Sequence, residues 1–136
     1  MRIISTASEI VETLRIARLI ERYAEQYINR VYTDREMTYC QTRRQATHWY
    51  TAYWAGKEAV LKALGTGRRR GISRLDIELQ PSVPGQTIVT LRGGVRDWML
   101  LQGISRVELS LSYCRNYAVA HAIALGDDLP TPEDIP

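Results

Sequence analysis

The chain has 136 residues, of which 45% are hydrophobic and 24% charged, and this fits one globular domain with its own core. It contains no apolar run of the roughly 20 residues that a membrane-spanning helix needs, and its first residues lack the apolar region of a signal peptide. The two cysteines and two histidines are widely scattered, which excludes a zinc-site spacing and favours free thiols. We therefore expect a cytoplasmic protein.

The net charge of +3 is unevenly distributed along the chain. Residues 127–136 carry four acidic residues and no basic one, so the preceding residues carry +7. A basic body favours anionic partners such as nucleotides, nucleic acid or an acidic protein, and charge alone does not choose among them. We expect residues 1–126 to form a single domain and residues 127–136, which are acidic and proline-rich, to be poorly ordered.

The first part of the chain predicts a short strand and then a helix. Residues 1–6 indicate the strand, and Ser8 is a suitable N-cap for the helix. Within that helix Arg15, Arg18 and Arg22 recur at helical spacing, so they line one face. Such an arginine stripe is either a solvated face or a docking ridge for an acidic helix of a partner.

Two further helices are predicted before residue 65. Thr33 with Glu36 three residues later is a capping box, which predicts a helix that starts at Thr33. Residues 48–64 are rich in aromatic residues and alanine and predict one long helix, apolar over much of its circumference and therefore mostly buried.

The end of the long helix carries residues that suit a ligand. Glu58 and Lys62 are four residues apart, so a carboxylate and an ammonium group share one helix face. Gly65, Thr66 and Gly67 follow, and the bare backbone of such a turn allows a ligand to approach closely. This combination suits a metal-bridged diphosphate. The alternative is a surface ion pair followed by a helix cap.

After this turn the pattern changes. Arg68 begins a run of three arginines, which either bind a phosphate or form a solvated basic loop. A short helix over residues 93–101 is expected to turn Trp98 and Leu101 inward. Alternating apolar and polar residues predict strands over residues 75–80, 86–92, 107–112 and 117–125. The first two are expected to form a hairpin with a turn over residues 81–85, and the last is expected to be central in the sheet. Early helices and late antiparallel strands indicate an α+β fold.

Several of these stretches resemble, in order and with matching spacing, the holo-acyl-carrier-protein synthase family, the small 4′-phosphopantetheinyl transferases. Residues 55–67 match the signature Ala-x-Lys-Glu-Ala-x-x-Lys-Ala-x-Gly-Thr-Gly. The other matching stretches are residues 8–16, 27–36, 76–78 and 109–120. The resemblance runs from about residue 3 to about residue 125, and it outweighs the simple ion-pair interpretation of the long helix.

The resemblance implies both a fold and an activity. The fold is an α+β domain with helices packed on an antiparallel sheet, which assembles as a homotrimer with active sites between neighbouring subunits. The activity is transfer of the 4′-phosphopantetheine arm of coenzyme A to a serine of apo-acyl carrier protein, dependent on Mg²⁺ and releasing adenosine 3′,5′-bisphosphate. Neither nucleic-acid nor membrane binding is expected.

The resemblance also implies roles for individual residues. Glu9 and Glu58 would bind the metal, and Glu58 and Lys62 would be catalytic. The residues expected to contact coenzyme A are Lys62, Gly65, Thr66, Gly67, Arg68, Ser110 and Tyr113. The residues expected to contact the acyl carrier protein are Arg15, Arg18 and Arg22.

The chain departs from the family pattern at the site rather than in the core. Glu9 replaces an aspartate, Ala7 a glycine, Tyr53 an arginine and Tyr113 a histidine. These changes support an alternative of another class, a divergent relative that binds coenzyme A or a carrier protein without transfer. A nucleic-acid-binding module is a third interpretation; it lacks the aromatic-studded basic sheet that such modules show.

Overall fold

The computed structural model describes residues 1–84 and 86–136. The α-helices within these residues are α1 (Thr13–Tyr23), α2 (Glu25–Val31), α3 (Asp34–Gln41), α4 (Ala46–Leu64) and α5 (Gly93–Leu101). The strands are β1 (Arg2–Glu12), β2 (Ile77–Pro81), β3 (Thr87–Leu91), β4 (Ile104–Tyr113) and β5 (Tyr117–Gly126). Short 3₁₀ turns span Arg74–Asp76 and Pro132–Asp134. The strands form one antiparallel sheet in the order β1-β5-β4-β3-β2, so the predicted α+β class is confirmed.

Helix α4 lies across the inner face of the sheet, against β1, β5 and β4. Small residues on both elements allow this close approach. A Cβ atom on Gly56 would lie only 2.8 Å from Leu79 Cδ1 and 3.1 Å from Leu109 Cδ2. Alanines face one another across the interface and are buried: Ala55, Ala59 and Ala63 on α4 and Ala118, Ala120, Ala122 and Ala124 on β5. The long helix is therefore buried as predicted, on a sheet face shaped to receive it.

Several local predictions are confirmed. The capping box of Thr33 and Glu36 is formed at the start of α3. Helix α4 ends at Gly65, which has the left-handed φ of 69° that favours glycine. Strands β2 and β3 form the predicted hairpin, and β5 lies inside the sheet between β1 and β4. Gly85, part of the predicted turn between β2 and β3, lies outside the described residues.

The predicted boundary between β1 and the first helix is wrong. Ser8 is not an N-cap, because β1 continues to Glu12 and α1 begins at Thr13. Pairing with β5 extends the strand, with Ser8 opposite His121 and Glu12 opposite Tyr117. Local helical spacing is outweighed here by hydrogen bonds to a strand more than 100 residues away. Glu9 consequently projects from a strand and not from a helix.

The inward face of α5 also differs from the prediction. Val95 and Met99, four residues apart, are its buried residues, whereas Leu101 is 78% exposed. Leu101 follows Met99 by two positions, so it lies on roughly the opposite side of the helix. Trp98 is half-buried and donates its indole N–H to the Leu64 carbonyl at 2.7 Å, which connects α5 to the end of α4.

A buried ion pair connects the helices to the sheet. The Lys57 and Glu36 side chains are both 0% exposed, and Lys57 Nζ lies 2.6 Å from Glu36 Oε1. Lys57 also donates to the carbonyls of Val31 at 2.5 Å and Arg74 at 3.0 Å. Glu36 Oε2 accepts from the Leu79 N–H at 2.8 Å. Burial raises the pKa of Glu36 and lowers the pKa of Lys57, while their mutual attraction acts in the opposite direction.

None of the helices in the described part of the chain is long and apolar enough to cross a membrane.

Candidate active site

Strand β1 and the end of α4 bring a carboxylate and an ammonium group together. Glu9 lies in register with Ala120 of β5, and its side chain points toward α4. Glu9 Oε2 is 2.7 Å from Lys62 Nζ, which also donates to the Ser8 carbonyl at 3.2 Å. Glu58 lies one helical turn before Lys62, on the same face of α4. Lys62 therefore contacts Glu9 directly and lies one helical turn from Glu58, although the two glutamates are 49 positions apart in the sequence.

Each of these glutamates forms an ion pair with a different basic side chain. Glu58 Oε1 accepts a hydrogen bond from Arg74 Nε at 2.5 Å, in the 3₁₀ turn before β2. The Arg74 guanidinium also lies over the Trp54 ring, 4.6 Å from its centroid. Both glutamate side chains remain partly exposed, Glu9 at 21% and Glu58 at 24%, so a ligand can reach them from solvent.

The carboxylates at this position are of the kind that bind magnesium when a substrate supplies further oxygen ligands. Among residues 1–84 and 86–136 no group of three or more His, Cys, Asp or Glu side chains could hold a metal. Mg²⁺ is commonly bound by one or two carboxylates, with phosphate oxygens and waters filling the other positions. The Glu9 and Glu58 carboxylates are hard oxygen groups of this kind.

The turn after α4 presents backbone rather than side chains. Gly65 and Gly67 are exposed, and both have left-handed φ values, 69° and 57°. Thr66 is buried, and its hydroxyl lies 3.4 Å from the carbonyls of Leu61 and Gly67, so it faces the inside of the turn. Arg68 follows and is exposed. A phosphate next to Lys62 could therefore meet the glycine backbone and Arg68 on one side.

Ser110 and Tyr113 are not brought to this edge within one chain. Ser110 lies opposite His121 on the outer sheet face, whereas α4 covers the inner face. Tyr113 packs at the other end of α4, with its ring centroid 5.4 Å from those of His48 and Trp49. The rise from Trp49 to Lys62 along the helix is about 20 Å. The predicted coenzyme A contacts thus fall into two groups: the residues around Lys62, and a second group made of Ser110 on the outer sheet face and Tyr113 at the other end of α4.

A cavity of about 240 Å³ lies near the second group. Tyr39, Trp49 and Tyr53 form aromatic walls, and residues of the β2–β3 turn close one side. Tyr53 is only 1% exposed, and its hydroxyl has no hydrogen-bond partner among the described residues. Burial raises its pKa above the usual range of a phenol. Trp49 and Tyr53 belong to the long helix predicted to be mostly buried, and their spacing on α4 gives no sign of a cavity.

The arginine stripe of α1 lines a separate groove. Arg15, Arg18 and Arg22 are exposed around a groove of about 410 Å³, whose lining also includes the apolar or aromatic residues Leu19 and Tyr23. The spacing of the three arginines on one helix face is as predicted. Cations around an apolar floor suit an amphipathic acidic surface.

Comparison with known proteins identifies the family. Residues 9–122 match the model of the 4′-phosphopantetheinyl transferase superfamily. The holo-[acyl-carrier-protein] synthase of Koribacter versatilis is 36% identical over 121 residues, which cover 89% of this chain and 97% of that protein. Among solved structures, the holo-[acyl-carrier-protein] synthase of Neisseria meningitidis superimposes with a TM-score of 0.82 at 28% identity, covering 91% of this chain and 99% of that one.

A Bacillus anthracis holo-(acyl-carrier-protein) synthase, solved in complex with CoA (3′,5′-ADP), also has this fold. It superimposes with a TM-score of 0.75 at 25% identity, covering 92% of this chain and 98% of that one. These matches extend over nearly the whole chain, and the carboxylate, lysine and glycine turn described above lie within them. The chain belongs to the 4′-phosphopantetheinyl transferase superfamily, as a member of its holo-acyl-carrier-protein synthase family.

Proposed function

We propose that this protein transfers the 4′-phosphopantetheine arm of coenzyme A to a serine of apo-acyl carrier protein in a Mg²⁺-dependent reaction. The observation that carries the proposal is the contact of Glu9 with Lys62, one turn from Glu58 and next to a glycine turn. This edge offers anion-binding and cation-binding groups together, as a metal-bridged diphosphate requires. The relatives' name, holo-[acyl-carrier-protein] synthase, specifies the same reaction.

In this proposal each residue of the edge has a chemical task. Glu9 and Glu58 would hold Mg²⁺, and the metal would supply neutralisation of charge on the diphosphate and polarisation of the phosphorus. Lys62, whose side chain is 58% exposed, holds a phosphate oxygen and stabilises the charge that develops on the transferring group. The serine hydroxyl must lose a proton, and the Glu58 carboxylate is a suitable acceptor.

The bond changes balance without any further reactant. The serine oxygen bonds to the phosphorus that carries the pantetheine arm. The bond from that phosphorus to the bridging diphosphate oxygen breaks, and the electron pair leaves with adenosine 3′,5′-bisphosphate. The proton from the serine moves to the carboxylate and then to solvent.

We propose that the site is completed by a second copy of the chain in a homotrimer. The outer sheet face exposes adjacent apolar residues, Ile10 opposite Val119 and, further along, Tyr117, which are each more than 40% exposed. Covering this face would bury them and could bring the Tyr113 end of one chain to the Lys62 end of another. Sedimentation equilibrium should then give three times the chain mass of 15.6 kDa. A monomer mass at working concentrations would contradict the assembly.

The test of the proposed reaction is incubation of the protein with coenzyme A, Mg²⁺ and apo-acyl carrier protein, with the carrier read by intact mass spectrometry. The proposal predicts that the carrier gains one phosphopantetheine group. The ion pairs of Lys62 with Glu9 and of Arg74 with Glu58 favour the alternative, a relative that binds without transfer, because they already neutralise both glutamates. An unmodified carrier together with calorimetric binding of coenzyme A would establish that alternative.

We propose that the arginine stripe of α1 binds the carrier protein. Arg15→Glu combined with Arg22→Glu should weaken carrier binding by about tenfold at low salt, because exposed charge pairs contribute modestly and reversal adds repulsion. The loss should shrink as ionic strength rises, since salt screens exposed charges. Surface plasmon resonance at low and high salt measures both effects. Arg96→Glu, an exposed reversal on α5, is the control; an equal loss there would count against the stripe.

We propose a cytoplasmic location on the basis of the thiols. Cys40 and Cys114 are both free. Burial raises the pKa of Cys40 to about 12, so its thiol stays protonated in the core. Cys114 is exposed, and an exposed free thiol persists best in a reducing compartment. If Cys40 and Cys114 are both found in disulfide bonds in protein isolated under non-reducing conditions, this would argue against the location.

A further inference from the structure

Arg74 is held at both ends by neighbouring residues of α4. Its guanidinium donates to Glu58 Oε1 at 2.5 Å, and its carbonyl accepts from Lys57 Nζ at 3.0 Å. Lys57 cannot move easily, because it is fully buried against Glu36. The guanidinium also rests on the Trp54 ring, which belongs to the same helix. The pairing of Arg74 with Glu58 is therefore built into the packing and differs from an isolated surface ion pair.

In this geometry the Arg74 guanidinium occupies the Glu58 carboxylate that a metal ion would need as a ligand. A divalent cation that binds Glu58 meets a carboxylate already neutralised by Arg74, and the Arg74–Glu58 contact must lengthen or break to admit it. Trp54 offers the displaced guanidinium a place to remain, because cation–π contact with the ring does not depend on Glu58. Arg74 would then add positive charge beside the bound diphosphate.

We propose that Arg74 is a positioning residue that sets the metal affinity of the site. It holds Glu58 while no metal is bound and yields Glu58 to a divalent cation when one binds. The proposal rests on the proposed metal role of Glu58. It lies outside the sequence motifs, because Arg74 follows Glu58 by 16 positions and belongs to a turn rather than to α4.

Titration with Mn²⁺ as a probe of the divalent site tests this inference without catalysis. Free Mn²⁺ is quantified by its electron paramagnetic resonance signal, with coenzyme A present and a protein-free blank subtracted. Arg74→Leu, which keeps apolar contact with Trp54 but has no charge, should bind Mn²⁺ about fivefold more tightly than the wild type, as expected for loss of a partly exposed competing ion pair. Circular dichroism of each variant establishes that it is folded.

Two further variants make the outcome specific. Arg15→Leu removes a guanidinium that lies 6.0 Å from the same Trp54 ring, and it should change Mn²⁺ affinity less than twofold, within about 0.4 kcal/mol at 1.4 kcal/mol per tenfold. Glu58→Gln should abolish specific binding. If Glu58→Gln behaves so but Arg74→Leu binds Mn²⁺ no more tightly than the wild type, the Arg74 inference is wrong and the metal site stands. If the wild type binds no Mn²⁺, the metal role and the Arg74 inference both fall.

Discussion

Glu58→Gln is expected to lower the rate of phosphopantetheine transfer by about 10²–10³-fold. A bound metal contributes several kcal/mol of charge stabilisation in the transition state, and each 1.36 kcal/mol corresponds to about a factor of ten in rate. Gln has the size of Glu but no charge, so it both weakens the metal site and removes the proposed proton acceptor. The measurement is kcat/KM for carrier modification by mass spectrometry at saturating Mg²⁺.

The fold should survive this change, because Glu58 is partly exposed and pairs with an arginine that can remain over Trp54. Thermal unfolding should therefore move by no more than a few degrees. Glu25→Gln, at an exposed position of α2, is the matched control and should retain the wild-type rate. A wild-type rate in Glu58→Gln would remove this residue from both proposed roles.

Lys57→Met is expected to lower the free energy of unfolding by about 3–5 kcal/mol. Removing one partner of a buried ion pair leaves the other charge without compensation, and the Glu36 carboxylate would stay buried opposite a thioether. The carbonyls of Val31 and Arg74 would also lose their donor. Urea unfolding followed by circular dichroism measures the change.

The double variant Lys57→Met with Glu36→Leu distinguishes this cause from a simple packing defect. Without either charge, the cost of an uncompensated carboxylate disappears, so the double variant should be more stable than Lys57→Met alone. Some loss should remain, since Glu36→Leu removes the acceptor of the Leu79 N–H and of the Thr33 N–H in the capping box. Equal or lower stability in the double variant would mean that the charge is not the reason.

Much of the fold could be predicted because its patterns are local. The capping box at Thr33, the long helix ending at Gly65 and the period-two strands of the second half are each determined by neighbouring residues. The start of α1 could not be predicted this way. Its position depends on how far β1 pairs with β5, and that pairing joins opposite ends of the chain.

The candidate site likewise combines residues that could be predicted from the sequence with residues that could not. Glu58 and Lys62 could be placed on one face because helix geometry alone fixes that relation. Glu9 was assigned by family resemblance, and only its contact with Lys62 shows that the strand carries it to α4. Arg74 gave no signal, because its contact with Glu58 depends on a turn anchored by the buried Lys57. At position 53 the sequence indicates only that tyrosine stands where the family has an arginine. The structure shows a Tyr53 hydroxyl beside a cavity, without a hydrogen-bond partner in the part of the chain that the structure describes.

The central claim is that two glutamates from distant parts of the chain jointly bind a divalent cation against the diphosphate of coenzyme A. A crystal structure of the protein grown with coenzyme A and Mn²⁺, with data collected at the manganese absorption edge, tests it most directly. We expect an anomalous peak within metal–oxygen bonding distance of both Glu9 and Glu58 and of a diphosphate oxygen. Coenzyme A bound elsewhere, or a peak that contacts neither glutamate, would contradict it.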